Sequence, residues 1–403
     1  MLGLDDVITA RDRIADVVRH TPLDYSHTFS DRTGAAVHCK LEVFQRTGSF
    51  KLRGATNRIR TLSDAEREAG VVTASAGNHA QGVALAASQT GVDAVVVMPE
   101  TAPISKVQAT EGYGATTVLH GSDYDAAQAR AQEIAREEGR TYVHAFDDEQ
   151  TMAGQGTIGL EIVDDLPQVD TVVVPVGGGG LIAGIATAVT ERRPDARIVG
   201  VQAAGAPSCV RALEAGERVT LDGVDTIADG IATRRVGELP FEIIRERVDE
   251  VVTVTDSEIA VALTRMLERS KTLLEGAGAV PLAAVLEERF DYADDEVVVP
   301  ALCGGNVDLN VLRNLIVRGL VETGRYLRIR TTLRDRPGAL QELTEVLATA
   351  QANIFAIEHD RAGKDIAMNA AEVELDLETR GPEHVEDLLA ALRERGYEVE
   401  VLV

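Results

Sequence analysis

Up to about residue 320, apolar β-branched runs alternate with segments of helical period, the pattern of βα units around a buried parallel sheet. Val71-Val72-Thr73, Ala94-Val95-Val96-Val97-Met98, Thr116-Thr117-Val118-Leu119, Thr171-Val172-Val173-Val174-Pro175-Val176, Ile198-Val199-Gly200-Val201 and Val297-Val298-Val299 predict strands, several of which end in glycine-rich turns. Ser63-Asp64-Ala65-Glu66 has the spacing of a capping box, and a further helix is predicted over 80–88, directly after a Gly-Asn-His turn. After Val321-Glu322-Thr323-Gly324 the texture changes. Segments 326–333, 339–350, 353–359, 371–377, 383–394 and 398–403 read as strand, helix, strand, strand, helix, strand, the order of a ferredoxin-like βαββαβ unit. The expected organisation is an α/β region over 1–320 made of two doubly wound subdomains, the smaller inserted over roughly 45–145, then a linker at 321–325 and a compact unit at 326–403.

The length of 403 residues agrees with two or three domains. No stretch reaches the roughly 20 uninterrupted apolar residues of a spanning helix, so no membrane partner is expected. Segment 1–18 is amphipathic and acidic, unlike a secretory leader, which predicts a cytoplasmic protein. Acidic residues number 65 against 40 basic ones, a net charge of −25, and lysine occurs only at 40, 51, 106, 271 and 364. That balance argues against a nucleic-acid partner. It predicts a carboxylate-dense, halophile-like surface whose self-repulsion salt would screen. Cys39, Cys209 and Cys303 are widely separated and without metal-ligand spacing, so neither disulfides nor a metal site are expected.

Four segments carry candidate chemistry. In Ser49-Phe50-Lys51-Leu52-Arg53-Gly54 a scarce lysine sits between apolar neighbours. It is either a solvated surface lysine or a desolvated amine, and burial lowers an ammonium pKa toward the range in which it forms Schiff bases. Ser75-Ala76-Gly77-Asn78-His79-Ala80-Gln81-Gly82 leaves a strand and enters a helix, where free N–H groups bind an anion such as a carboxylate. The plain alternative is an ordinary turn capped by Asn78, with His79 structural. Val174-Pro175-Val176-Gly177-Gly178-Gly179-Gly180-Leu181 places four glycines at one turn; at roughly 1 kcal/mol of lost entropy each, phosphate binding is the purpose that best justifies them. Pro300-Ala301-Leu302-Cys303-Gly304-Gly305-Asn306 is a further glycine-rich strand end, with Cys303 either a small buried residue or a ligand. Such turns can converge on one crevice at the strand ends of an open sheet.

Together and in this order the four segments resemble those of the fold-type-II pyridoxal-phosphate enzymes, and within them the threonine ammonia-lyases. The resemblance covers roughly residues 1–320 and implies pyridoxal 5'-phosphate as cofactor. By it, Lys51 holds the cofactor as a Schiff base, Phe50 packs by the ring and Asn78 bonds the phenolic oxygen. Gly177, Gly178, Gly179, Gly180 and Leu181 grip the phosphate, and the backbone at Ser75, Ala76, Gly77, Asn78 and His79 holds the substrate carboxylate. Cys303 stands where the family places Ser, Thr or Cys opposite the pyridine nitrogen; a neutral thiol leaves the ring a weaker electron sink than an aspartic acid would, favouring prompt loss of the β-hydroxyl. The implied reaction converts L-threonine, with L-serine as a second substrate, to a 2-oxo acid and ammonia, with Lys51 removing the Cα proton.

Similar serine racemases carry a serine acid/base at the position of Ala76, which has no transferable proton, so racemisation is expected to be poor. They bind a divalent metal through acidic residues where this chain has Gln202 and Ser208, so that site is not carried over. Glu275, in Leu274-Glu275-Gly276-Ala277-Gly278-Ala279, resembles a segment lining the cofactor pocket and is either functional or a buried structural carboxylate.

The C-terminal unit contains Leu333-Arg334-Asp335-Arg336-Pro337-Gly338-Ala339-Leu340 and Ala352-Asn353-Ile354, and resembles an ACT domain, the regulatory module that binds small amino acids. Asp335, Gly338 and Asn353 are the expected effector contacts, isoleucine or valine the expected effector, isoleucine biosynthesis the expected role and a homo-oligomer, dimer or tetramer, the expected assembly; the alternative is a dimerisation module without ligand. The rival functions are a broad serine/threonine dehydratase or racemase, a β-replacement enzyme and a non-catalytic amino-acid sensor.

Overall fold

The computed structural model describes residues 2–363 and 366–403 and divides into two compact units between Asp308 and Leu309. The helix Leu309–Glu322 therefore groups with the second unit, where it packs against the strand Tyr326–Arg334; the sequence boundary at 320/321 had placed it in the first.

The first unit holds two sheets. The larger runs in the order Leu23–Tyr25, Ala36–Leu41, Val297–Leu302, Thr171–Pro175, Arg197–Ala203, Glu250–Val254, parallel throughout except for the first strand. The smaller is parallel, in the order Thr116–Leu119, Ala94–Met98, Val71–Ala74, Thr141–Tyr142. Its central strands Val71–Ala74 and Ala94–Met98, like Thr171–Pro175 in the larger sheet, are buried along their whole length, as strands covered by helices on both faces must be. The six runs read from sequence as strands are all strands. Ala36–Leu41 was overlooked because His38 and Lys40 interrupt its apolar pattern. Lys40 is nevertheless fully buried, since its amine donates to Glu161 Oε2 at 2.6 Å and to the Thr21 carbonyl at 2.8 Å.

That pair belongs to a larger buried network. Arg53 reaches Glu42 through Nε at 2.9 Å and Nη2 at 2.8 Å, and Glu161 through Nη1 at 2.6 Å. Two cations and two carboxylates thus neutralise one another where water is excluded, as buried charges must. The network ties the helix Lys51–Arg60 to the strand Ala36–Leu41 and to the helix Glu149–Asp165. Helix backbones meet closely at the same place. A Cβ on Gly154 would lie 2.6 Å from the Arg53 carbonyl oxygen, so only glycine lets the two helices approach this far.

The second unit is an antiparallel sheet in the order Asn353–Asp360, Ala370–Glu378, Tyr326–Arg334, Val399–Val401, with the helices Ala339–Thr349 and Pro382–Glu394 supplying Leu343, Leu347, Leu388 and Leu392 to its core. This is the ferredoxin-like order expected from its hydrophobic pattern.

Candidate active site

Lys51 is the first residue of the helix Lys51–Arg60, entered through the buried Phe50, whose N–H donates to the Cys303 carbonyl at 3.1 Å. The lysine amine donates to the Ala145 carbonyl at 3.0 Å and lies 5.0 Å from the centre of the Phe50 ring. Burial pulls its pKa down to about 8, partly opposed by nearby Cys303 and Glu275.

The segment Ser75–His79 leads from the strand Val71–Ala74 into the helix Asn78–Thr90. The Ser75 hydroxyl accepts the Gly77 N–H at 3.1 Å, whereas the N–H groups of Ala76, Asn78 and His79 donate to no protein acceptor among the described residues. They stand at the positive end of the helix, where an anion is stabilised. Asn78 is not a cap. Its Nδ2 donates to Glu275 Oε1 at 2.7 Å, and its Oδ1 accepts from Asn306 Nδ2 at 2.9 Å. The His79 ring bonds the Val143 carbonyl through Nε2 at 3.0 Å, leaving Nδ1 without a partner among the described residues, and burial pushes its pKa down to about 3, so the ring stays neutral.

Gly177 to Gly180 join the strand Thr171–Pro175 to the helix Gly180–Arg192. The N–H groups from Gly177 to Leu181 have no protein acceptor among the described residues, which makes a run of donors suited to a phosphate. The glycines also answer a packing demand that the sequence did not reveal. A Cβ at Gly178 would enter the Phe146 ring, one at Gly177 would meet Ile231, and one at Gly180 would meet the Phe146 backbone. Gly179 has φ +91 and lies against Pro240. Phe146 thus stands over the glycine turn while Ala145, beside it in the chain, receives the Lys51 amine.

Cys303 is buried, its thiol 3.7 Å from the Ala277 carbonyl oxygen, and burial raises its pKa so far that it stays protonated. Gln202 takes a structural part: its Oε1 accepts the N–H groups of Cys209 and Val210 at 2.8 and 3.0 Å, capping the helix Ser208–Ala215, and its Nε2 donates to the Val176 carbonyl. The structure thus brings Lys51, Phe50, Asn78 and Cys303 into one hydrogen-bonded and packed neighbourhood with Glu275 and Asn306. Glu275 is read from sequence as either functional or structural in a segment like one lining the cofactor pocket, whereas Asn306 is not singled out, although it closes the glycine-rich Cys303-Gly304-Gly305 turn.

The second unit does not gather its three expected contacts. Asp335 follows the strand Tyr326–Arg334 and Gly338 caps the next helix, but Asn353 is level with Glu378 and hence with Tyr326, at the opposite end of that strand. Eight residues at about 3.3 Å each put the two ends roughly 26 Å apart. Asn353 bonds Glu378 at 3.1 Å, and Asp335 pairs with Arg361 at 3.3 Å.

Comparison with known proteins matches residues 14–304 to the family described as pyridoxal-phosphate dependent enzyme and residues 327–396 to the ACT domain. The chain is 49% identical to the L-threonine ammonia-lyase of Geobacter sulfurreducens and 45% identical to that of Thermotoga maritima, each over the full length of both chains. Among solved structures, threonine deaminase isoform 2 from Solanum lycopersicum matches with a TM-score of 0.75 at 41% identity, over 77% of this chain and 86% of that one.

Proposed function

The chain belongs to the pyridoxal-phosphate-dependent enzyme family and carries a C-terminal ACT domain, and from this premise we propose that it is a threonine ammonia-lyase, converting L-threonine to 2-oxobutanoate and ammonia. The observation that carries the reading is the desolvated Lys51 amine standing beside two runs of backbone donors with no protein acceptor. Pyridoxal phosphate, when bound, supplies an electron sink for the pair left at Cα as the substrate loses its proton.

The residues present fit that cofactor. Lys51 Nζ is the amine that bonds its aldehyde carbon, the N–H groups of Gly177 to Leu181 receive its phosphate, and one Asn78 Nδ2 hydrogen remains for its phenolic oxygen. The thiol of Cys303, held neutral by burial, would be the group offered to the ring nitrogen and would not protonate it. The free N–H groups of Ala76, Asn78 and His79 hold the substrate carboxylate and so orient Cα toward Lys51. As a free amine, Lys51 Nζ would be the base that takes the Cα proton. Ala76 offers a methyl group with no proton to return from the other face, which favours elimination over inversion.

A 2-oxo-acid assay on L-threonine, L-serine and D-serine tests the reading. Threonine should be the best substrate, serine should be poorer by about 1–3 kcal/mol in transition-state binding, and Lys51→Ala should be inactive yet folded. Interconversion of D- and L-serine faster than ammonia release would overturn it. We further assign the ACT domain to feedback by isoleucine or valine in a cytoplasmic homo-oligomer serving isoleucine synthesis. The separation of Asn353 from Asp335 and Gly338 within one copy supports assembly, because an effector touching all three needs a second copy.

A further inference from the structure

Asn78, Asn306 and Glu275 come from three distant parts of the chain and form one hydrogen-bonded line. An asparagine side chain can be turned about its amide so that oxygen and nitrogen exchange places, and the two orientations present opposite chemistry to a ligand. Here the orientation follows from the partners. Asn306 donates to the main-chain carbonyl of Thr47 at 2.6 Å, and a carbonyl oxygen only accepts, so the Asn306 group facing it must be Nδ2. The second hydrogen of that nitrogen meets Asn78 at 2.9 Å, so the atom receiving it must be Oδ1. Asn78 Nδ2 is then turned to Glu275, whose carboxyl accepts it at 2.7 Å.

Glu275 has no other visible task. It precedes the helix Gly276–Leu286 in the capping position, yet its side chain caps nothing, and Asn78 is its side chain's one hydrogen-bond partner among the described residues. A half-buried carboxyl held by a single neutral donor gains little from where it stands, so its place needs a reason in the site. Gly304 supplies the room for it: a Cβ there would strike the Glu275 carboxyl.

We propose that Asn306 and Glu275 are positioning residues that lock the Asn78 amide with its nitrogen outward, so that its remaining N–H donates to the phenolic oxygen of the cofactor bonded to Lys51. The proposal rests on the reading of Lys51 as the cofactor anchor. It assigns the asparagine that ends the Cys303-Gly304-Gly305 turn a role of its own, and gives a task to Glu275, which forms no ion pair among the described residues.

The full-length protein tests it through the absorption band of the bound cofactor and its dissociation constant from titration of the apoprotein with pyridoxal phosphate. Asn306→Asp replaces the donor with acceptors and should turn the Asn78 amide over, shifting the band toward the form protonated on the phenolic oxygen and weakening cofactor binding about tenfold, the loss of one charge-assisted hydrogen bond. Glu275→Leu should move both readouts in the same direction. Glu275→Gln keeps an acceptor oxygen and should restore both to within about twofold of wild type. A wild-type band and affinity in Asn306→Asp and Glu275→Leu alike would overturn the proposal, as would a Glu275→Gln protein no better than Glu275→Leu. If the wild-type protein shows no band that Lys51→Ala abolishes, the cofactor anchor itself is wrong and the positioning roles fall with it.

Discussion

The reactivity proposed for Lys51 comes from the company of its amine rather than from its type. With a pKa near 8 it is uncharged in roughly one molecule in ten at neutral pH, far more than an exposed lysine. The sign follows directly: the free amine is the reacting form, and it grows as pH rises toward the lowered pKa. The rate at which apoprotein captures pyridoxal phosphate should climb about tenfold per pH unit below about 8 and level off above it; stopped-flow absorbance that keeps climbing to pH 10 would show an ordinary lysine. Ala76 makes the complementary argument. Ala76→Ser would set a hydroxyl where this chain has a methyl, and chiral analysis of serine incubations should show the ratio of racemisation to elimination rising by at least tenfold, a change of about 1.4 kcal/mol between two barriers. An unchanged ratio would mean that the reprotonating group lies elsewhere.

Among the elements, the helix that presents Lys51 depends on contact with the helix Glu149–Asp165 at glycine. Gly154→Ala would push a methyl into the Arg53 carbonyl and Gly54 Cα, each 2.6 Å away. Backbone cannot step aside as a flexible side chain can, so unfolding should show a loss of about 1–3 kcal/mol or more, and cofactor retention should fall as the Lys51 helix shifts. Gly112→Ala, at the end of the helix Ile104–Gly112, meets nothing within 4 Å and should leave stability unchanged or raise it by about 0.4–1 kcal/mol. Equal losses in the two variants would refute the packing argument. The glycine turn at 177–180 follows the same logic: its glycines admit Phe146 and Ile231 on one side while their N–H groups stay free for an anion, a double demand that explains why four occur in succession.

For the molecule as a whole, a net charge of −25 makes the folded state repel itself, and salt relieves it. Raising ionic strength from about 0.01 M to 1 M shortens the screening length from roughly 30 Å to 3 Å. Calorimetry should therefore show the melting temperature rising with sodium chloride; a flat or falling trend would mean that ion pairs outweigh the repulsion. The buried Lys40–Glu161–Arg53–Glu42 network is shielded from solvent and should contribute little to that trend.

Much of the architecture, and the segments that form the candidate site, are legible in the sequence alone. Strand runs, the capping box at Ser63 and the glycine turns are local patterns, and a period of two or 3.6 residues or a cluster of glycines needs no distant partner to be read. Lys51 and the 75–82 and 177–181 turns stand out as candidates in this way, while the role expected of Asn78 comes from the family resemblance. What local pattern could not supply was which side chains meet across the chain. Asn78 lies 197 residues from Glu275 and 228 from Asn306, and their contact exists only because the strand ends converge. Lys40 and His38 hid a strand because their partners were unknown, and the glycines at 177–180 concealed Phe146 behind an argument about phosphate. In the ACT unit the elements were correct to within about two residues, yet Asn353 proved to sit at the far end of the strand from Asp335. Sequence alone determined which residues could do chemistry and which faces had to be buried. Tertiary structure decided the orientation of the Asn78 amide and the desolvation of the Lys51 amine, because hydrogen-bond direction and loss of water depend on neighbours that only the folded chain brings together.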